Sequence, residues 1–174
     1  FFGAKFGKHV EELLVSPLPN GWILAGYVMG GVMRGLIVGA VVVAVTLCFT
    51  DLRIEHPLVM LAMLLLSSVV FSLGGFVNAV YAKKFDDIAI VPTFILTPLT
   101  YLGGVFYSVK LLPDWAQAAT HANPIFYMVN AFRYGLLGVS DVPLGVAYAL
   151  MLGFVVALSA LGLWLLKRGT GMRS

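Results

Sequence analysis

PLTYLGGVFYSVKLLPDWAQAATHANPIFYMVNAFRYGLLG, residues Pro98 to Gly138, decides how this chain is read. The stretch opens inside an apolar run, breaks at Gly103-Gly104 and again at Pro113, and continues through a short amphipathic piece to Asn123-Pro124. It closes on an aromatic segment holding Phe126, Tyr127, Phe132 and Tyr134 around Arg133. Long apolar runs lie on both sides. Backbone that leaves helical geometry at membrane depth is tolerated only where protein buries it or water reaches it. The stretch therefore predicts a broken cap, re-entrant or lying near the surface of an integral membrane protein, and not an ordinary loop.

Composition sets the class around that cap. Of 174 residues, 60% are hydrophobic and 11% charged, and the mean hydropathy is +0.98. Soluble domains carry roughly 25% charged residues, so this chain lacks the charge for a water-facing surface. The apolar runs are continuous where barrel strands would alternate. The fold class is all-α: a polytopic helical membrane protein forming a single transmembrane domain over residues 1–174. The single Cys48 lies in an apolar run and excludes an internal disulfide framework. No basic patch suggests a nucleic-acid partner. Membrane lipid is the expected surrounding.

Four spans are expected. Gly21–Thr50 is a 30-residue apolar run with Gly26, Gly30, Gly31, Gly35 and Gly39 at spacings that let another helix approach closely. Arg34 falls near its middle, where a cation costs at least about 2.5 kcal/mol on insertion scales. It is expected to face protein or water, either as a structural cation satisfied by an acid or by carbonyls, or as part of a substrate path. Pro57 starts the second span, which runs to about Ala82 and is expected to be interrupted at Gly74-Gly75. The third, 88–109, contains Pro92 and Pro98, which should kink it; its 15 residues before Gly103 are too few to cross straight. Val142–Leu166 is the last. Residues 1–20 form an amphipathic segment with Phe2, Phe6, Val10, Leu13 and Leu14 at helical spacing, ended by Pro17 and Pro19. They carry no apolar core of a signal peptide, and the chain opens on Phe1-Phe2 where an initiator Met would stand, which suggests further residues before it.

Basic residues give an orientation. Lys5, Lys8, Lys83, Lys84, Lys167, Arg168 and Arg173 fall on one side; Arg53, Lys110 and Arg133 fall on the other. The positive-inside rule places the first group in the cytoplasm and the Pro98–Gly138 cap outside.

Several chemistries are absent from the sequence. It has no GxxxxGK[ST] phosphate loop, so ATP hydrolysis of that class would have to come from another subunit. His9, His56 and His121 lie in separate segments without Cys or carboxylates at metal-ligand spacing. No catalytic residue, cofactor site or metal site is expected. An ATP-independent channel or scaffold and a membrane-embedded enzyme acting on lipid phosphate through Arg34 or Arg133 are the competing readings; the second lacks a nucleophile or metal cluster.

GKHVEELLVSPLP followed by a glycine-rich span resembles the cytoplasmic coupling segment of type-2 ABC exporter permeases, in which a Glu-Leu-Leu-x-x-Pro helix precedes a span; the matching residues are Glu12, Leu13, Leu14 and Pro17, with Glu11 beside them. Pro98, Gly103, Gly104, Phe106, Leu112-Pro113, Trp115, Asn123-Pro124 and Arg133 resemble the same family's signature before its last span. The resemblance covers nearly the whole chain. It implies a six-span bacterial inner-membrane permease of which these are the last four spans. It further implies a separate ABC ATPase subunit docked on the segment around Glu12, and a second permease copy, identical or related. The implied export is of drugs, polysaccharides or lipid-linked substrates, with Arg34, Gly103, Gly104, Phe106 and Arg133 as the positions that would shape the path or its scaffold.

Overall fold

The computed structural model describes residues 3, 5, 7, 18–50, 54–105 and 113–169. In chain order the helices are α1 (Asn20–Phe49), α2 (Pro57–Tyr81), α3 (Phe85–Ile90), a π-helix (Val91–Leu96), α4 (Thr97–Tyr101), α5 (Asp114–His121), α6 (Pro124–Leu137) and α7 (Leu144–Arg168). Among the described residues all regular structure is helical, as hydrocarbon demands of backbone that must satisfy its own polar groups. Among the described residues three helices, α1, α2 and α7, are long and apolar enough to cross a membrane.

Helix ends follow local chemistry. Pro57 and Pro124 stand in the first turns of α2 and α6, where a missing N–H costs nothing. Gly138 and Gly169 take left-handed φ values of 70° and 63° and close α6 and α7. The last helix therefore keeps Lys167 and Arg168 in its final turn, two residues beyond the expected end.

The helix α2 runs unbroken through Gly74-Gly75, contrary to the expected interruption. With no water to take up freed backbone groups, a glycine pair in a span stays helical and serves instead to leave space. The glycines of α1 separate into two groups. A Cβ on Gly31 would sit 2.8 Å from Ser72 Cβ, one on Gly35 would sit 3.1 Å from Ser68 Cβ, and one on Gly39 would lie 3.2 Å from the Leu64 methyls; Gly26 and Gly30 face open space. The antiparallel α1–α2 contact thus runs along Gly31, Gly35 and Gly39 against Ser72, Ser68 and Leu64.

The expected 88–109 span is described only as far as residue 105. α3, the π-helix and α4 form one helical run of only 17 residues, 85–101, short of the about 20 a straight crossing needs. Residues 106–109 of that expected span lie outside the described residues. At Pro92 the helix widens into π geometry. The proline ring crowds the carbonyl four residues back and offers no N–H to it. That carbonyl, of Ile88, accepts instead from Asn78 Nδ2 at 3.0 Å. On the far side of the π turn the Thr97 N–H and Oγ1 both donate to Pro92 O.

Two apolar clusters hold the bundle. At one end Ile23 and Leu24 of α1, Leu73, Phe76 and Val80 of α2 and Leu165 and Leu166 of α7 pack together; at the other, Met63 and Val70 meet Phe126, Met128, Ala131, Ala147 and Met151. The close approach of α6 to α2 depends on Gly135, whose Cβ would lie 2.8 Å from Met60 Cβ and 3.1 Å from its backbone nitrogen. His56 N–H donates to Gly135 O at 2.9 Å, and the His56 ring stacks on Tyr134.

Candidate functional site

The broken stretch is pinned by polar side chains at the end where α4 and α6 meet. Asn123, 2% exposed, caps α6 by accepting from Ile125 N–H at 3.0 Å, and its Nδ2 donates to Leu99 O in the last turns of α4. α4 ends in a turn at Leu102–Gly104, with Gly104 at φ 72°. A Cβ on the buried Gly103 would lie 3.0 Å from the Ile125 side chain and 3.2 Å from Leu99 O and Thr100 O. Glycine is needed at both positions, one for its φ and one for close packing. Arg133 reaches across with both arms. Nη2 donates to Gly104 O at 2.9 Å, and Nη1 pairs with Asp141 Oδ2 at 3.1 Å. Asn130, 1% exposed, donates to Phe126 O and accepts from Asp141 N–H. Arg133 therefore joins the glycine turn, α6 and the loop before α7, acting as a clamp.

The two arms of Arg133 differ in worth. A charge-assisted bond to a part-buried carbonyl contributes about 1.5–3 kcal/mol, whereas a half-exposed ion pair contributes about 0–1 kcal/mol. Arg133→Gln is accordingly expected to cost about 2 kcal/mol in detergent unfolding, and Asp141→Asn to cost under about 1 kcal/mol. Equal losses would mean that the ion pair, and not the carbonyl bond, holds the cap.

Arg34 lies midway along α1 and is exposed. It does not enter the bundle core of the described residues. The core side of α1 is taken by Gly31 and Gly35 against the serines, which leaves no room for a guanidinium. Arg34 instead lines an open groove of about 540 Å³ with Gly26, Gly30, Gly75, Phe76 and Ile88. It has no hydrogen-bond or ion-pair partner among the described residues.

At the opposite end Lys5 donates to Val80 O at 2.8 Å and Ala82 O at 2.9 Å, filling carbonyls that the end of α2 leaves without helical partners. Burial, and the neighbouring Lys83 charge after it, lower the Lys5 pKa. Asp87 Oδ2 accepts from the backbone N–H groups of Lys83 and Lys84, which holds its carboxyl below the usual range. Lys5, Lys83, Lys84, Lys167 and Arg168 thus gather at the end of the bundle remote from Arg133. The coupling residues Glu11, Glu12, Leu13, Leu14 and Pro17 lie outside the described residues, as does Phe106. Lys5, Asn78 and Asn130 are not singled out by the sequence as site residues; no motif marks them.

The sequence profile of the ABC-2 type transporters matches residues 2–137. The chain belongs to the ABC-2 type transporter family. Inner membrane transport permease YadH of Escherichia coli (strain K12) is 52% identical over 174 residues, which are 100% of this chain and 68% of that protein. The proteins of the same name from Escherichia coli O157:H7 and Shigella flexneri match to the same extent. No solved structure matches. As an ABC-2 permease, the chain is a multi-pass protein of a bacterial inner membrane with the role of an ABC transporter membrane subunit. The cap clamp at Asn123 lies inside the region matched to the family, and the Arg133 clamp reaches from that region to Asp141 just beyond it.

Proposed function

We propose that this permease works in an ATP-driven exporter that moves a lipid-linked, polysaccharide or hydrophobic drug-like substrate outward. A separate ABC ATPase seats on residues 1–16, and a second permease copy, identical or related, completes the path. The Lys-rich end faces the cytoplasm, and the 98–138 cap faces outward, with 88–109 as the segment that reaches the outer surface. The observation that carries this reading is Lys5 on the carbonyls of Val80 and Ala82. It ties the segment that would meet the ATPase to the end of α2, and α2 is the helix against which α1, α6 and α7 all pack. A push on that segment is delivered to a rigid element whose other end touches the cap through Gly135. A rigid connection of this kind is what coupling between distant sites requires.

Glu12→Lys is expected to leave the permease inserted at normal level while export falls by about tenfold or more, the factor of a lost contact near 1.4 kcal/mol. ATP hydrolysis by the assembled transporter should continue without export. Lys5→Met should lower export in the same direction. Export at the normal rate in Glu12→Lys at normal expression would sink the proposal.

A further inference from the structure

We propose that α1, α2 and the 85–101 strap form a binding site for an anionic amphiphile, with its head group on Arg34 and its hydrocarbon chain passing over Gly75 into an apolar pocket behind. Two hollows share that glycine. The Arg34 groove, about 540 Å³, includes Gly75 and Ile88. A second hollow of about 440 Å³ includes Gly74, Gly75, Pro92, Leu96, Met128 and Leu158. Its one polar side chain, Asn78, already gives its amide to Ile88 O. A Cβ on Gly74 or Gly75 would meet nothing within 4 Å. The glycine pair that leaves α2 unbroken therefore keeps a passage open beside it.

The pocket exists because of how the strap is held. Neither the π-helix nor α4 buries a residue, and Phe94 is 73% exposed. The run is fastened near its two ends, by Asn78 to Ile88 O and by Asn123 to Leu99 O. Between those fasteners the widened π turn bows over α2 and leaves a gap. An apolar cavity holds no water, and within a membrane the matter at hand to fill it is hydrocarbon. Arg34 supplies the other half of the ligand. None of the eight acids of the chain lies within α1, α2 or α7, so the guanidinium at mid-helix has no carboxylate there to neutralise it, and an unneutralised cation is costly at that depth. A phosphate or carboxylate head group matches it in charge and in forked geometry. The ligand is either a resident membrane lipid or the transported amphiphile; only the second rests on the export reading above.

The test is native mass spectrometry of the intact permease in neutral detergent, with phosphatidylglycerol and phosphatidylcholine of identical chains added in turn. The wild type is expected to favour phosphatidylglycerol by about fivefold, the factor of one arginine–head-group contact. Arg34→Gln should abolish that preference, and Arg34→Lys should keep most of it. Gly75→Leu should lower the binding of both lipids; if that variant fails to fold, Leu96→Trp, on a strap that buries nothing, should do the same. A preference that survives Arg34→Gln overturns the proposal, as does lipid binding unchanged in Leu96→Trp. Dissociation of a dimer by Arg34→Gln with lipid binding intact also overturns it, because Arg34 would then face a second copy. With the ATPase and ATP added, release of bound lipid on turnover identifies cargo and retention identifies a resident lipid. Binding is read without ATP, so failure of the export reading leaves this result standing.

Discussion

Gly31→Leu is expected to leave almost no folded permease, while Gly30→Leu, one residue earlier, inserts and folds. Both changes add the same side chain to the same apolar helix, so propensity and hydrophobicity cannot separate them. Position does. Any Cβ at 31 runs into Ser72 Oγ and comes to 2.8 Å from Ser72 Cβ, whereas position 30 meets nothing within 4 Å. The hydroxyl can rotate away, but the Cβ moves only with the backbone. Overpacking of that kind costs about 1–3 kcal/mol even for small additions and more for large ones, and here it pries apart the contact that α1 depends on most. In membranes no hydrophobic force pushes helices together, so close backbone contact is a main source of their association. Gly31→Ala should be the milder case, and Ser72→Gly should restore part of its loss, since the obstructing atoms are those of Ser72. The measurement is the monodisperse fraction recovered in detergent at matched expression. Equal recovery of Gly31→Leu and Gly30→Leu would show that α1 does not pack on α2 through this stripe.

That contrast marks where the sequence stops being legible. The apolar runs can be read as helices because length and continuity decide it; prolines mark the starts of α1, α2 and α7 and a glycine the end of α7, while α1 and α2 end at the charged turns after Thr50 and Ala82. Which glycines touch a neighbour could not be read: Gly26 and Gly30 form one four-residue series, Gly31, Gly35 and Gly39 another, and the spacing is identical. The same ambiguity leaves Arg34 with two sequence readings, protein or water, since only the choice of stripe determines that the guanidinium lines a groove and not the core. The pairs that fix the cap were hidden by distance. Asn123 reaches Leu99 and Arg133 reaches Gly104, and at the opposite end of the bundle Lys5 reaches Val80 in the same way. A side chain that serves a carbonyl far along the chain leaves no local pattern. Pro92 did announce a defect, but not its form. Whether the helix around a proline takes π geometry depends on who satisfies the freed carbonyl, and that donor, Asn78, sits in the preceding span.

Asn123→Ala is expected to detach the cap from the strap and to abolish export with the protein still inserted. Two losses add. The α6 cap is worth about 1 kcal/mol, and a part-buried carbonyl left without its donor, here Leu99 O, costs about 1–3 kcal/mol. The variant should therefore lose about 2–4 kcal/mol in unfolding. Asn123→Asp separates the two. Its carboxylate can still accept from Ile125 N–H, but it brings a buried charge to face a carbonyl oxygen, so the cap survives and the bridge turns repulsive. Protonation reverses that, because the acid O–H can donate to Leu99 O. The folded-state pKa of Asp at 123 must then lie above the unfolded value of about 3.9. A raised pKa gives stability that is fully present below the unfolded value and lost as pH rises through the folded one. Asn123→Asp should thus approach the wild type near pH 4 and fall toward or below Asn123→Ala at pH 7, while Asn123→Ala keeps a constant deficit across that range. Thermal unfolding in detergent at the two pH values, each variant against the wild type, reads the difference directly. A pH-independent deficit in Asn123→Asp would mean that Leu99 O is not its partner, and that the strap is held at this end by Arg133 on Gly104 alone.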